Sequence, residues 1–140
     1  MKLKILKVKN GAQYENRIYD FWIEAETLNK EKIKIFDHVP FDIRDKENQV
    51  IDVMLVVGFI SLEDKKEGLQ QIKGKLVDDV ELNNDKWSDK IKDLQEIKWL
   101  GLENENDIFL VSEKEVVENG MKVGETVKLE VSRIDLVAIL

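Results

Sequence analysis

The chain opens on an alternation of lysine with apolar residues whose phase slips. Over Lys2–Lys9, Leu3 and Ile5 fall on one side, then Leu6 and Val8 on the other. A period-2 pattern that changes phase within one strand implies a β-bulge or a sharp bend. Asn10-Gly11 follows as a turn. A second strand is predicted from Tyr14 to Leu28. It turns Tyr19, Phe21, Ile23 and Ala25 toward the core and leaves Ile18, Asp20, Trp22 and Glu24 half exposed. After the polar turn Asn29–Glu31, a third strand over Lys32–Val39 carries Ile33 and Ile35. Pro40 stops it, having no N–H to give to a ladder.

The most apolar strand is Val50–Leu62. Ile51, Val53, Leu55, Val57 and Phe59 fill one face, and Met54, Val56 and Ile60 much of the other. Apolarity on both faces marks a strand covered on both sides. The run Glu63–Gly68 is read as a turn into a weaker strand, Leu69–Val80, where Ile72, Leu76 and Val80 point together with Gly74 between them. The period changes once. Trp87, Ile91 and Leu94 stand four and three apart, which predicts a helix over about Lys86–Gln95, with Asp85 placed to cap it.

Ile97–Leu102 and Ile108–Val111 then read as a hairpin. Ser112-Glu113-Lys114-Glu115 matches a capping box and Asn119-Gly120 a helix stop, so a short helix lies between. The last strand, Thr126–Leu140, changes phase at Arg133: Val127, Leu129 and Val131 share a face, then Ile134, Leu136 and Ala138 take the opposite one. Its apolar end reads as a core strand, the alternative being an edge that pairs with a second copy. The fold class that follows is mostly β with minor α: a small bulged β-barrel or coiled sandwich with one or two short helices, in a single domain over 1–140. Lys122–Val131 resembles the turn-into-strand element of OB-fold-like small barrels, and OB-like is as far as that likeness goes.

Composition then narrows the classes of function. With no cysteine, disulfides, thiolate metal sites and a cysteine nucleophile are excluded. The N-terminal alternation is unlike a signal peptide, and the apolar run Val53–Ile60 is far shorter than the ~20 residues that span a bilayer. The expectation is a cytoplasmic protein away from membranes. A net charge of −7 disfavours a phosphate backbone as main partner unless lysines cluster locally.

Candidate chemistry is sparse. His38, the one histidine, stands beside Asp37, but it lacks the company that zinc needs and reads as a turn residue. The carboxylates around Asp78, Asp42 and Glu103 fit solvated turns, and the run Asn83–Trp87 lacks the glycine and glutamate of a calcium loop. No glycine-rich phosphate loop and no nucleophile elbow is present. The expectation is therefore a non-catalytic binding domain with no cofactor and no metal.

Aromatic residues are the best lead to what it binds. Tyr14, Tyr19, Phe21 and Trp22 crowd one strand, Phe36 and Phe41 flank His38, and Trp87 and Trp99 bracket the helical stretch. Trp22, Tyr14, His38, Lys32 and Lys34 are the candidate binding residues. An acidic chain with a few exposed aromatics suits a protein partner. Single-stranded nucleic acid on an OB-like face is the alternative, with Lys2, Lys4, Lys7, Lys9, Lys30, Lys32 and Lys34 as its basic side. A small ligand in a barrel mouth is the third reading, and self-association a fourth.

Overall fold

The computed structural model describes residues 1–61 and 70–140, and of 59–61 the backbone alone. Its strands are β1 (Lys2–Asn10), β2 (Gln13–Tyr14), β3 (Arg17–Ile18), β4 (Phe21–Thr27), β5 (Lys32–Asp37), β6 (Val50–Ser61), β7 (Gln70–Val77), β8 (Trp99–Asn104), β9 (Asp107–Ser112) and β10 (Thr126–Ile139). One α-helix, α1, covers Glu113–Glu118, and 3₁₀ turns cover Arg44–Lys46, Asn84–Lys86 and Asp89–Glu96.

Eight strands make one sheet in the order β1-β4-β5-β10-β6-β9-β8-β7, and further pairings join β1 to β6 and β10 to β7. Those two pairings close two rings that share β6 and β10. The first runs β1-β4-β5-β10-β6 and the second β6-β9-β8-β7-β10. The architecture is mostly β and barrel-like or sandwich-like, as the patterning predicts. Closure leaves few free strand edges.

The phase slip in β1 is a register shift between Ile5 and Lys7 against β4. In β10, Ser132 and Arg133 are both exposed between buried Val131 and Ile134, so the phase changes where expected. The pairing with β6 runs through unbroken there, however, and shifts only between Leu136 and Ala138. The change at Arg133 marks the strand leaving β7 for β5: residues 126–131 pair with β7, and Asp135 lies opposite Phe36 of β5.

β6 is covered on both sides. Val53, Leu55 and Val57 join the main core with Ile134 and Leu136. Met54 and Val56 meet Trp87, Ile91, Trp99 and Val137 in a second apolar cluster. The segment over that cluster is not the one continuous helix over Lys86–Gln95 that the spacing predicts. It is two 3₁₀ pieces interrupted at Trp87, and Ser88 caps the longer one by accepting the Lys90 N–H, in place of Asp85. Trp87 breaks the run because its extended backbone bridges to Ala138 of β10.

Two further expectations are corrected. The strand Tyr14–Leu28 is broken: Glu15 and Asn16 adopt positive φ and fold β2 onto β3. Asp20 then ties the hairpin base by accepting the Ala12 N–H at 2.7 Å, which leaves Tyr19 45% exposed and out of the core. At the other end, β7 stops at Val77, and Val80 lies beyond it against the second cluster. The turn Glu63–Gly68, Leu62 and Leu69, and the facing of Phe59 and Ile60, lie outside the described residues. The α1 cap holds, with Ser112 Oγ accepting from Glu115 N–H and Gly120 at φ 71° ending the helix. Gly74 is required by a close approach. A Cβ there would stand 2.6 Å from the Glu103 carbonyl oxygen.

Asp107, at the start of β9, is 4% exposed, and its Oδ1 has no hydrogen-bond partner. Burial raises its carboxyl pKa above the ordinary value, against a smaller opposing pull from the N-terminal ammonium. The folded pKa thus exceeds the unfolded one. The stability this group contributes is present below the unfolded pKa of about 3.9 and lost as pH rises through the folded pKa. Asp107→Asn is expected to melt higher than the parent at pH 7, with the difference shrinking toward pH 4. A melt series from pH 3 to pH 7 checks it, and a lower melting temperature at pH 7 contradicts it.

Candidate functional site

The antiparallel pairing of β4 with β5 sets Trp22 opposite Phe36, Glu24 opposite Lys34 and Glu26 opposite Lys32. Ile23, Ala25, Ile33 and Ile35 are buried in the core, so the alternate positions face outward. On that outer face the Trp22 and Phe36 rings meet with centroids 4.6 Å apart and a tilt of 39°. His38 continues the row, its ring centroid 6.0 Å from that of Phe36. All three side chains are half buried.

Cations stand over these rings. Lys34 Nζ is 4.7 Å from the Trp22 centroid, and the Arg133 guanidinium of β10 is 5.1 Å from that of Phe36. Both lie within the reach of cation–π attraction. Part of the charge on this face is balanced locally, while Lys32 and Lys34 make no ion pair among the described residues. Arg133 Nε is 2.8 Å from Asp135 Oδ1, and Lys9 Nζ is 2.8 Å from Glu24 Oε1. The Lys9 hydrogen bond, followed by the Lys9 charge, holds the Glu24 carboxyl below its usual value.

The sheet thus brings three of the candidate residues together, Trp22, Lys34 and His38, and Phe36 joins them. Tyr14 stands apart. It is 65% exposed on the β2–β3 hairpin, where Arg17 covers the neighbouring Tyr19 ring at 5.3 Å. Lys32 lines a groove between β5 and β7, and also a cleft it shares with Lys34 and Glu24. Trp87 and Trp99 are core residues, each donating its indole N–H to a main-chain carbonyl, of Leu82 at 2.5 Å and of Leu94 at 2.7 Å.

Asp37, beside His38, is fully buried. Its two oxygens accept the N–H groups of Phe41 and Asp42, both at 2.9 Å, and so shape the loop after β5. Burial nonetheless raises its pKa. That is a structural task, and Asp37 makes no hydrogen bond to the imidazole. Among the described residues no three His, Asp or Glu side chains gather as they would around a metal ion. No helix among them is long and apolar enough to cross a membrane.

No family model matches the chain, and no curated protein or solved structure matches it. The functional reading therefore rests on the residues alone. Two contributors were missed in the sequence. In the sequence Phe36 stands out only as a flank of His38, yet Glu24–Lys34 and Glu26–Lys32, opposite charges about a short turn, give the register that pairs it with Trp22. Arg133 comes from a strand far along the chain, and no local signal announces it.

Proposed function

We propose that this protein is a binding domain that takes a protein partner on the outer face of β4 and β5. The observation behind this reading is the row Trp22–Phe36–His38 with Lys34 and Arg133 over its rings. Tryptophan, tyrosine and arginine are the side chains that most often carry protein-interface energy. Lys9 and Arg133 are matched by Glu24 and Asp135 and Lys34 stands over Trp22, so the face carries a mixed polar rim around its rings. It suits a partner that buries aromatic surface inside a polar rim.

Single-stranded nucleic acid is the second reading, and one observation favours it. The ring β1-β4-β5-β10-β6, with its third and last strands in sequence parallel, has the strand order of an OB-like barrel. Such barrels bind oligonucleotides on the face of their second and third strands, here β4 and β5.

Affinity capture from the source organism's lysate tests the first reading. The parent protein and a Trp22→Ala/Arg133→Glu variant serve as baits. A partner held by the parent and lost by the variant supports it, and identical captures sink it. In parallel, anisotropy of a labelled mixed-sequence single strand, at low and then moderate salt, decides the second. Trp22→Ala alone is expected to cost less than about 2 kcal/mol of stability, the scale of one aromatic pair plus partial burial. A urea titration showing a loss above ~3 kcal/mol would place Trp22 in the core instead.

A further inference from the structure

β7 and β10 break a rule of cross-strand pairing. Lys73 and Lys128 lie directly opposite one another, and both are exposed. Like charges in that position destabilise a sheet. Lys32 approaches from β5 to line the same groove, about 460 Å³ in volume, whose other lining residues include Ile33, Gln70 and Glu31. Three lysines meet one carboxylate, Glu31, in the lining, and two neighbouring carboxylates have other partners. Glu26, opposite Lys32, reaches Lys30 at 3.7 Å, and Glu130 accepts a hydrogen bond from Gln71. Among the described residues, Lys32, Lys73 and Lys128 make no ion pair.

The groove is also held open. Gln70 fills the place of a strand neighbour to β5. Its Oε1 accepts the Lys34 N–H and its Nε2 donates to the Lys34 carbonyl, both at 2.8 Å. The β5 backbone there is satisfied without a strand, so β7 is not drawn against it and the cleft between the two persists.

We propose that this groove binds a small phosphorylated ligand, with Lys32, Lys73 and Lys128 gripping a di- or triphosphate group. Three ammonium groups around a cleft of a few hundred cubic ångströms match that class in charge and size. In a chain of net charge −7, three lysines without an ion pair among the described residues line one cleft, two of them in mutual repulsion, and form a local reversal of sign. An anion relieves that repulsion. The site adjoins the aromatic face along β5, where Lys32 and Gln70 also line a cleft with Lys34 and Glu24, but Trp22, Phe36 and His38 take no part in it.

The test is a titration of the ¹⁵N-labelled full chain with inorganic tripolyphosphate at low salt and then at moderate salt. Expected are sub-millimolar affinity that weakens with salt and amide shifts confined to residues 32–34, 70–75 and 126–130. Lys73→Gln or Lys128→Gln should weaken binding about tenfold each. Without ligand, the same variants should melt about 1–3 °C higher than the parent, because the repulsion is gone. Trp22→Ala should bind tripolyphosphate as the parent does, which separates this site from the protein-binding face. No saturation by about 10 mM, or unchanged affinity in Lys73→Gln/Lys128→Gln, overturns the proposal. So does tight binding of a single-stranded oligonucleotide with 5′-hydroxyl ends that tripolyphosphate fails to displace, which would assign the lysines to a nucleic-acid backbone.

Discussion

Replacing Trp87 by alanine is expected to cost about 3–5 kcal/mol of stability, the range for a fully buried aromatic. Trp87 is 3% exposed and packs in the second apolar cluster with Met54, Val56, Ile91, Trp99 and Val137. Its indole N–H also satisfies the Leu82 carbonyl, and its backbone bridges to Ala138. Alanine leaves that carbonyl unpaired and opens a cavity under two short 3₁₀ pieces. Such pieces have poorer hydrogen-bond geometry than an α-helix and depend on tertiary packing. The segment 80–96 would then loosen from the outer side of β6 and β10, baring Met54 and Val56. A thermal melt followed by far-UV circular dichroism should show a fall of roughly 10 °C or more. A fall of less than about 4 °C, near 1 kcal/mol, would mean that the segment is not held by this side chain.

The same cluster shows what the sequence made legible. Apolar residues on both faces of Val50–Leu62 announced a strand with two covers, and the spacing of Trp87, Ile91 and Leu94 announced the element that covers it. Spacings of three and four do not separate an α-helix from 3₁₀ turns, because both bring such residues to one side. What decided the matter was the contact of Trp87 with Ala138, a strand more than fifty residues away, which periodicity cannot see. The tight fold at Glu15-Asn16 was missed for a different reason. Alternation continues through Ile18 to Ala25, so the pattern reads as one strand, whereas two consecutive positive-φ residues reverse the chain.

The candidate site was legible in part. Trp22 and Lys34 were singled out from different strands, and the β4–β5 register brings them within 4.7 Å. The alternation places Tyr14 and Trp22 on one continuous strand, and Tyr14 parts from Trp22 where that strand breaks at Glu15-Asn16. Arg133, Lys73 and Lys128 were invisible as site residues because their neighbours come from long-range pairings of β10. Net charge pointed away from anions, and it remains a sound guide to the whole surface. It says nothing of one cleft.

Leu136→Ala is the second large effect expected, at about 3–5 kcal/mol. Leu136 is 1% exposed, lies opposite Leu55, and belongs to the main core. It sits on β10 just before the register shift toward Ala138, in the ribbon of β6 and β10 that both rings share. That position gives the prediction its second half. A cavity in a strand common to both rings weakens both, so the loss should be global. Trp22 reports on the outer face of the first ring, and Trp87 and Trp99 on the cluster behind the ribbon. Within each single-tryptophan version, in which the other tryptophans are replaced by phenylalanine, tryptophan fluorescence and far-UV circular dichroism should give the same urea midpoint in the Leu136→Ala background. The midpoint should lie below that of the matching parent, with an unchanged denaturant slope. Tyr14→Ala, on the exposed hairpin, should leave the midpoint where it is. A fluorescence midpoint that departs from the circular dichroism midpoint within one version would show that the two rings unfold independently, and that the shared ribbon does not couple them.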